Sequence, residues 1–187
     1  VDQETARRAA ALIRVEYEPL EGVFTIEDAL NPDKPLLHDE RRRKGDTNVL
    51  RRVFQKYGDP AAGFAEADVI IESNYDYPGS THVPLETQVA LAQPHPDGKL
   101  TLWSSTQIPH YLHRIVSKVL GMREQDVRVI KPDVGAGYGG KSDPFANELC
   151  AAALARKTGR PVKFILDREE VFYAHRGRHP TRMTLKM

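Results

Sequence analysis

Only one cysteine, Cys150, occurs among the 187 residues. A disulfide framework and a cysteine-built zinc or iron–sulfur site are therefore excluded. Cys150 lies in the apolar helical run Glu148-Leu-Cys-Ala-Ala-Ala-Leu154, where a small buried hydrophobe is expected. Charge of one sign is also lacking. The 27 Lys and Arg against 26 Asp and Glu leave +1, which gives no electrostatic case for nucleic acid or an anionic membrane as partner. The longest basic run, Arg41-Arg-Arg-Lys44, is flanked by Asp39-Glu40 and Gly45-Asp46 and reads as a solvated loop. No apolar stretch approaches the roughly 20 residues of a membrane span. Repeats and low-complexity tracts are missing too. The opening Val1-Asp-Gln-Glu-Thr-Ala-Arg-Arg8 reads as neither a signal peptide nor an initiator methionine. The expectation is an interior piece of a longer chain in a reducing, cytoplasmic compartment.

What is present suffices for one core, or one core and part of a second. The spacing predicts a helix over Glu4–Leu12, then a strand from Ile13-Arg-Val-Glu-Tyr17 stopped by Pro19. Thr25–Leu30 reads as a short capped helix ended by Asn31-Pro32, and a Pro- and charge-rich connector follows to Asp46. Pro60–Ala67 is helical, Val69–Tyr75 a strand, and Pro78-Gly79 a turn. Thr87–Gln93 and Lys99–Ser105 alternate on either side of Asp97-Gly98, a hairpin signal. Pro109–Leu120 puts Leu112, Ile115, Val116 and Val119 on one helical face. Val127–Ile130 is a strand, Asn147–Lys157 a helix and Pro161–Leu166 a strand. Hairpins mixed with crossover helices define an α+β class with mixed sheets.

The chemistry-bearing segment is Val134-Gly-Ala-Gly-Tyr-Gly-Gly-Lys-Ser142, between a strand and a helix. Four glycines within Gly135–Gly140 imply backbone conformations or close approaches that a side chain forbids. Exposed N–H groups beside a helix start would receive an anion or an oxo group. Gly135, Gly140, Lys141 and Ser142 also satisfy the P-loop spacing, with Asp167 as a strand-end carboxylate for magnesium. Pro132 and Pro144 argue against that reading, since one breaks the preceding strand and the other would fall inside the helix. Gly135, Gly137 and Gly140 fit a dinucleotide fingerprint, although Asp167 lies farther on than the roughly 20 residues usual for the ribose-binding acid. A glycine-rich turn with a packing role, in a non-catalytic interaction domain, stays open as well.

Eight segments, taken in order, carry a resemblance. They are Arg14-Val-Glu-Tyr-Glu-Pro-Leu20, Gly63-Phe-Ala-Glu-Ala-Asp-Val69, His82-Val-Pro-Leu-Glu-Thr87, Trp103-Ser-Ser-Thr-Gln107, Gly135–Lys141, Lys157-Thr-Gly-Arg-Pro-Val162, Asp167-Arg-Glu-Glu170 and Arg176-Gly-Arg-His-Pro180. Together they resemble the large subunit of the xanthine dehydrogenase and aldehyde oxidase family of molybdenum hydroxylases. The resemblance implies a tail of a preceding α/β domain in residues 1–30, a linker in 31–45, and the first part of a molybdenum-cofactor-binding domain in 46–187. It implies a molybdenum–molybdopterin cofactor held without any protein side chain on the metal. It also implies iron–sulfur clusters and FAD on other subunits or domains, and as partners the rest of the large subunit, an iron–sulfur subunit and a FAD subunit.

By the same resemblance, the amide of Gln107 hydrogen-bonds an oxygen ligand of the metal. The backbone of Gly137, Tyr138 and Gly139 lies against the metal's ligands. Tyr138 departs from the family's phenylalanine and adds a hydroxyl. Ser142 stands at the substrate-binding position, where purine-oxidising members carry a glutamate, so xanthine is not the expected substrate. Lys141–Glu148 and Val171–Pro180 resemble members that reduce 4-hydroxybenzoyl-CoA. The family's catalytic glutamate has no counterpart here, so the isolated chain is expected to be inactive. His110 and His113, three apart on a helix, are expected as ordinary surface histidines. His175 and His179 fall in an Arg-rich loop that faces an anionic substrate, a neighbouring domain or nothing in particular. Glu86 and His82 fall on a segment that, by the resemblance, is structural or lines the cofactor region, and neither is expected to be catalytic.

Overall fold

The computed structural model describes residues 2–38, 47–174 and 176–187. The basic run Arg41–Lys44, the end of the 31–45 connector, the expected domain start at Asp46 and His175 lie outside the described residues. The chain divides into two compact units, Val1–Ile70 and Ile71–Met187.

In the first unit the helices are short and individually capped. Helix α1 (Gln3–Ala11) starts at Asp2, whose carboxylate accepts the Thr5 N–H at 2.8 Å. Helix α2 (Ile26–Leu30) starts at Thr25, whose hydroxyl accepts the Asp28 N–H at 3.0 Å. Helix α3 (Pro60–Glu66) opens on proline behind the Asp59 cap, which satisfies donors left unpaired at a helix start. The strand expected over Ile13–Tyr17 does not form. Ile13, Val15 and Tyr17 are exposed, and no described segment lies alongside to accept the backbone hydrogen bonds that a strand requires.

The second unit holds the core. Strands β2 (Val89–Pro94) and β3 (Leu100–Ser104) form the expected hairpin, with Ala90 opposite Ser104 and Ala92 opposite Leu102. Its turn closes through His95 and Lys99, with Gly98 at φ +84°. From β3 the chain passes through α4 (Pro109–Leu120) to β4 (Val127–Ile130), which lies parallel to β3. Helix α5 (Ala146–Thr158) then leads to β5 (Val162–Ile165), antiparallel to β2. The sheet order is therefore β4-β3-β2-β5, mixed in direction, as the α+β expectation required. Ala90, Ala92, Leu100 and Leu102 meet Leu112 and Val116 of α4 and Ala151, Ala152 and Ala155 of α5 in one fully buried cluster. Alanines on α5 allow the helix backbone to ride close on the strands.

Several expectations need correction here. Val119 is 58% exposed, because α4 turns Leu112, Val116 and Ser117 to the core instead. Cys150 is exposed, since the buried stripe of α5 runs through Asn147, Glu148, Ala151, Ala152 and Ala155. Strand β1 (Glu72–Tyr77) begins later than Val69 and pairs with β6 (Thr181–Lys186), with Ile71 and Met187 exchanging two backbone hydrogen bonds beside it. Pro78-Gly79 does not turn. A bridge between Ser80 and Arg178 keeps the ribbon extended there, since the partner comes from the far end of the sequence rather than from the next segment. Helix α6 (Arg168–Ala174) and β6 were not foreseen.

Candidate functional site

Gln107 sits at the exit of β3, where Ser104, Ser105 and Thr106 are buried and Pro109 opens α4. Its backbone N–H donates to the Lys141 carbonyl at 2.9 Å. Its side-chain Oε1 accepts two backbone N–H groups, from Gly139 and from Lys141, each at 3.1 Å. Two donors converging on one amide atom require that atom to be the oxygen. The amide nitrogen, a pure donor, is thus left for a group outside the loop, and the residue is exposed.

Close approach is what the glycines supply. A Cβ on Gly137 would stand 2.5 Å from Gln107 Oε1 and 2.8 Å from its Cδ. The turn is closed by the Gly140 N–H donating to the Gly137 carbonyl at 2.7 Å. Gly139 adopts φ +89°, and Tyr138 beside it adopts φ +52°, a region few non-glycine residues enter. The Tyr138 ring is 75% exposed, at the rim of the loop instead of packed within it. Ser142 is half-buried, and its N–H donates to the Gly139 carbonyl at 3.3 Å. Its neighbour Asp143 pairs with Arg176 at 3.0 Å, which draws the Arg-rich loop toward this end of the glycine segment. Gln107 and Gly137–Gly139 are therefore assembled into one site, with Ser142 a turn away.

The nucleotide readings fail on three observations. Helix α5 begins only at Ala146, so no glycine opens a helix. Lys141 is 1% exposed and its ammonium is ion-paired with Glu86, so it cannot reach a phosphate. Asp167 caps α6: its carboxylate accepts the Glu170 N–H at 2.8 Å while Glu170 accepts the Asp167 N–H at 2.8 Å. That reciprocal box was readable in Asp167-Arg-Glu-Glu170, where it was weighed only as a metal or ribose ligand. The Glu86–Lys141 pair gave no local signal, since its members lie on segments far apart in sequence. Gly135 also donates to Glu86, at 3.0 Å.

Other candidate residues have structural work. His113 Nε2 contacts the Glu124 and Val127 carbonyls at 2.9 and 3.0 Å, which makes it a donor that ties α4 to β4. His110 is exposed, and among the described residues no three His, Cys, Asp or Glu side chains are grouped to hold a metal ion. His82 lies against Gly139 and Gly140, while the ion-pair partner of Glu86 is Lys141. His179 is exposed, and the Arg178 guanidinium stacks 4.7 Å from the Tyr77 ring centre. Glu148, at the start of α5, accepts the Phe145 N–H at 2.7 Å and the Ser104 hydroxyl. Burial pushes its carboxyl above the usual glutamate value, and those two hydrogen bonds oppose the shift.

A strand exit that brings a glutamine carbonyl oxygen onto a glycine turn, with the neighbouring lysine buried on a carboxylate, is not the arrangement of a phosphate cradle. Residues 42–187 match the family described as the molybdopterin cofactor-binding domain, and the chain belongs to that family. It is similar to the nicotinate dehydrogenase large molybdopterin subunit of Eubacterium barkeri, 36% identical over 98% of this chain and 41% of that protein. It is also similar to the carbon monoxide dehydrogenase large chain of Hydrogenophaga pseudoflava, 35% identical over 90% of this chain and 22% of that one. Among solved structures, the Cu,Mo-CO dehydrogenase superposes with a TM-score of 0.86 at 32% identity, covering 99% of this chain and 24% of that chain. Quinoline 2-oxidoreductase from Pseudomonas putida 86 gives 0.85 at 30% identity, over 98% and 23%. The chain spans between 22% and 41% of the length of these relatives. No described helix is long and apolar enough to cross a membrane.

Proposed function

We propose that this chain forms one wall of the molybdenum–pterin site of an oxidoreductase that acts on an aromatic or heterocyclic substrate. The observation that carries the reading is Gln107: with Oε1 held by two backbone N–H groups, its amide can offer only donors outward. Donors without charge suit an electron-rich oxygen ligand. The bound cofactor supplies two-electron oxidation and reduction. Gln107 orients it through that ligand, and the bare backbone of Gly137 and Gly139 admits its close approach. Tyr138, exposed at the rim, walls the substrate side, and Ser142 contributes an uncharged hydroxyl to the substrate. The names of the nicotinate and quinoline enzymes support a nitrogen heterocycle as the substrate class. Reductive dehydroxylation of 4-hydroxybenzoyl-CoA is the second reading, favoured by the exposed arginines Arg176, paired with Asp143, and Arg178, over the Tyr77 ring.

In this reading residues 1–30 are the tail of a preceding α/β domain, 31–45 a linker, and 46–187 the first part of the cofactor domain. The start of the family match at residue 42 supports the last boundary. Partners are the remainder of the large subunit, an iron–sulfur subunit and a FAD subunit; the words "large molybdopterin subunit" and "large chain" in the relatives' names support the existence of other subunits. The test is elemental and pterin analysis of the natural-length protein, with Gln107→Ala beside the wild type. About one molybdenum per chain is expected in the wild type, and a roughly 10- to 100-fold loss of cofactor affinity or turnover in the variant. A protein purified without molybdenum or pterin would overturn the reading, and so would turnover by the isolated 187-residue chain.

A further inference from the structure

Beneath the glycine turn lies a charged pair that cofactor contact does not use. Lys141 is among the largest fully buried side chains, and its ammonium rests on the Glu86 carboxylate. The same carboxylate oxygen accepts the Gly135 N–H at 3.0 Å, so Glu86 holds both ends of the loop Gly135–Lys141. Lys141 also meets Gln107 twice through its main chain. Its N–H donates to Oε1 at 3.1 Å, and its carbonyl accepts the Gln107 N–H at 2.9 Å. The Glu86 segment is itself fixed, because the Arg168 guanidinium donates to the Pro84 carbonyl and to the Leu85 carbonyl, the latter at 3.1 Å.

A continuous run of polar contacts thus leads from the start of α6 through Glu86 and Lys141 to the amide of Gln107. Lys141 is fully buried and Glu86 is partly exposed, and apolar groups of the same volume often serve stability as well as such a pair, so stability alone does not account for it. What the pair provides is register. One Glu86 oxygen must meet the Gly135 N–H and the Lys141 ammonium together, which fixes both ends of the loop, whereas an apolar plug permits sliding.

We infer that Glu86 and Lys141 are positioning residues, which lock the glycine turn in the register that leaves the Gln107 amide nitrogen pointing outward. The identity of the group that meets that nitrogen rests on the function proposed above; the lock does not. The experiment uses the natural-length protein as wild type, Lys141→Arg, Glu86→Gln, and the paired Glu86→Leu/Lys141→Met variant. Hydrogen exchange is followed by mass spectrometry on the peptide covering residues 135–142 and on the β2–β3 hairpin, and the molybdenum(V) paramagnetic signal is recorded.

The paired variant is expected to unfold within a few degrees of the wild type. Its loop peptide should exchange at least tenfold faster while the hairpin stays protected, and Lys141→Arg should remain within about threefold of the wild type. Should the paired variant fail to fold, Glu86→Gln carries the same expectation of selective loop exchange. Unchanged loop exchange, or equal acceleration in loop and hairpin, would reduce the pair to a structural plug and overturn the inference. The paramagnetic signal separates the two proposals. A wild type without molybdenum removes the function but leaves the exchange result standing, whereas a loaded paired variant with an unaltered signal removes the lock alone.

Discussion

Replacing Gly137 by alanine perturbs the site by a single methyl group, and the cost can be worked through. The new Cβ would lie 2.5 Å from Gln107 Oε1 and 2.8 Å from Cδ. Carbon atoms rest at roughly 3.5 Å or more, so one partner must retreat by about 1 Å. The glutamine is the softer of the two, but its oxygen holds the Gly139 and Lys141 N–H groups at 3.1 Å each. A retreat of that size breaks both bonds. At about 1 kcal/mol net per hydrogen bond, the loss is about 2 kcal/mol, and more if the N–H groups stay dry. Urea unfolding of the chain followed by circular dichroism measures it directly. The decisive arm is a double-mutant cycle with Gln107→Ala. In that background the methyl has nothing to displace, so Gly137→Ala should cost little, and the coupling should approach about 2 kcal/mol. Additive losses, or a single-variant cost under about 0.5 kcal/mol, would refute the claim that this glycine exists to admit the amide.

Two further expectations test the scaffold. Glu148 is raised by burial above its ordinary value of 4.5, so the folded state binds its proton more tightly than the unfolded one. The stability linked to that proton is fully present below about 4.5 and is lost as pH rises through the folded-state value. Relative to Glu148→Gln, which keeps the acceptor for Phe145, the wild type should therefore weaken from pH 4 upward and then level off. Melting temperatures across that range check it, and a gain by the wild type with rising pH would sink it. Leu112, fully buried between α4 and the sheet, should cost about 2–5 kcal/mol on substitution Leu112→Ala, measured by the same urea titration.

Elements with local signals were legible from sequence: the Asp97-Gly98 hairpin, the proline-opened α4, and the Thr25 cap of α2 each carry their cause within a few residues. What escaped depends on distant partners. The Ile13–Tyr17 pattern alternates like a strand, but alternation specifies only a face and cannot supply the neighbour that completes the hydrogen bonds. The β1–β6 ribbon unites segments more than a hundred residues apart, with Arg182 on Asp76 at 2.7 Å. At the site, residue physics reached an anion or oxo receptor and stopped among three motifs. The choice of Gln107 came from resemblance, because nothing between residues 107 and 137 announces that a glutamine will fold onto a glycine. The P-loop alternative weighed Lys141 as a phosphate ligand for the same reason. A buried lysine differs from an exposed one only through its partner.

The anchorage of α5 has a mechanical consequence. Glu148 binds Ser104, the last residue of β3, and β4 lies against the same strand, so both ends of the segment 131–145 hang from β3. Gln107 issues from β3 three residues after Ser104. Displacement of α5 against the sheet must therefore first break the Glu148–Ser104 contact before it can pull the glycine turn from the glutamine. That contact, made in the first turn of the helix and three residues before Gln107, sets the spacing of turn and glutamine from beneath, while the Tyr138 ring at the rim takes no part in it.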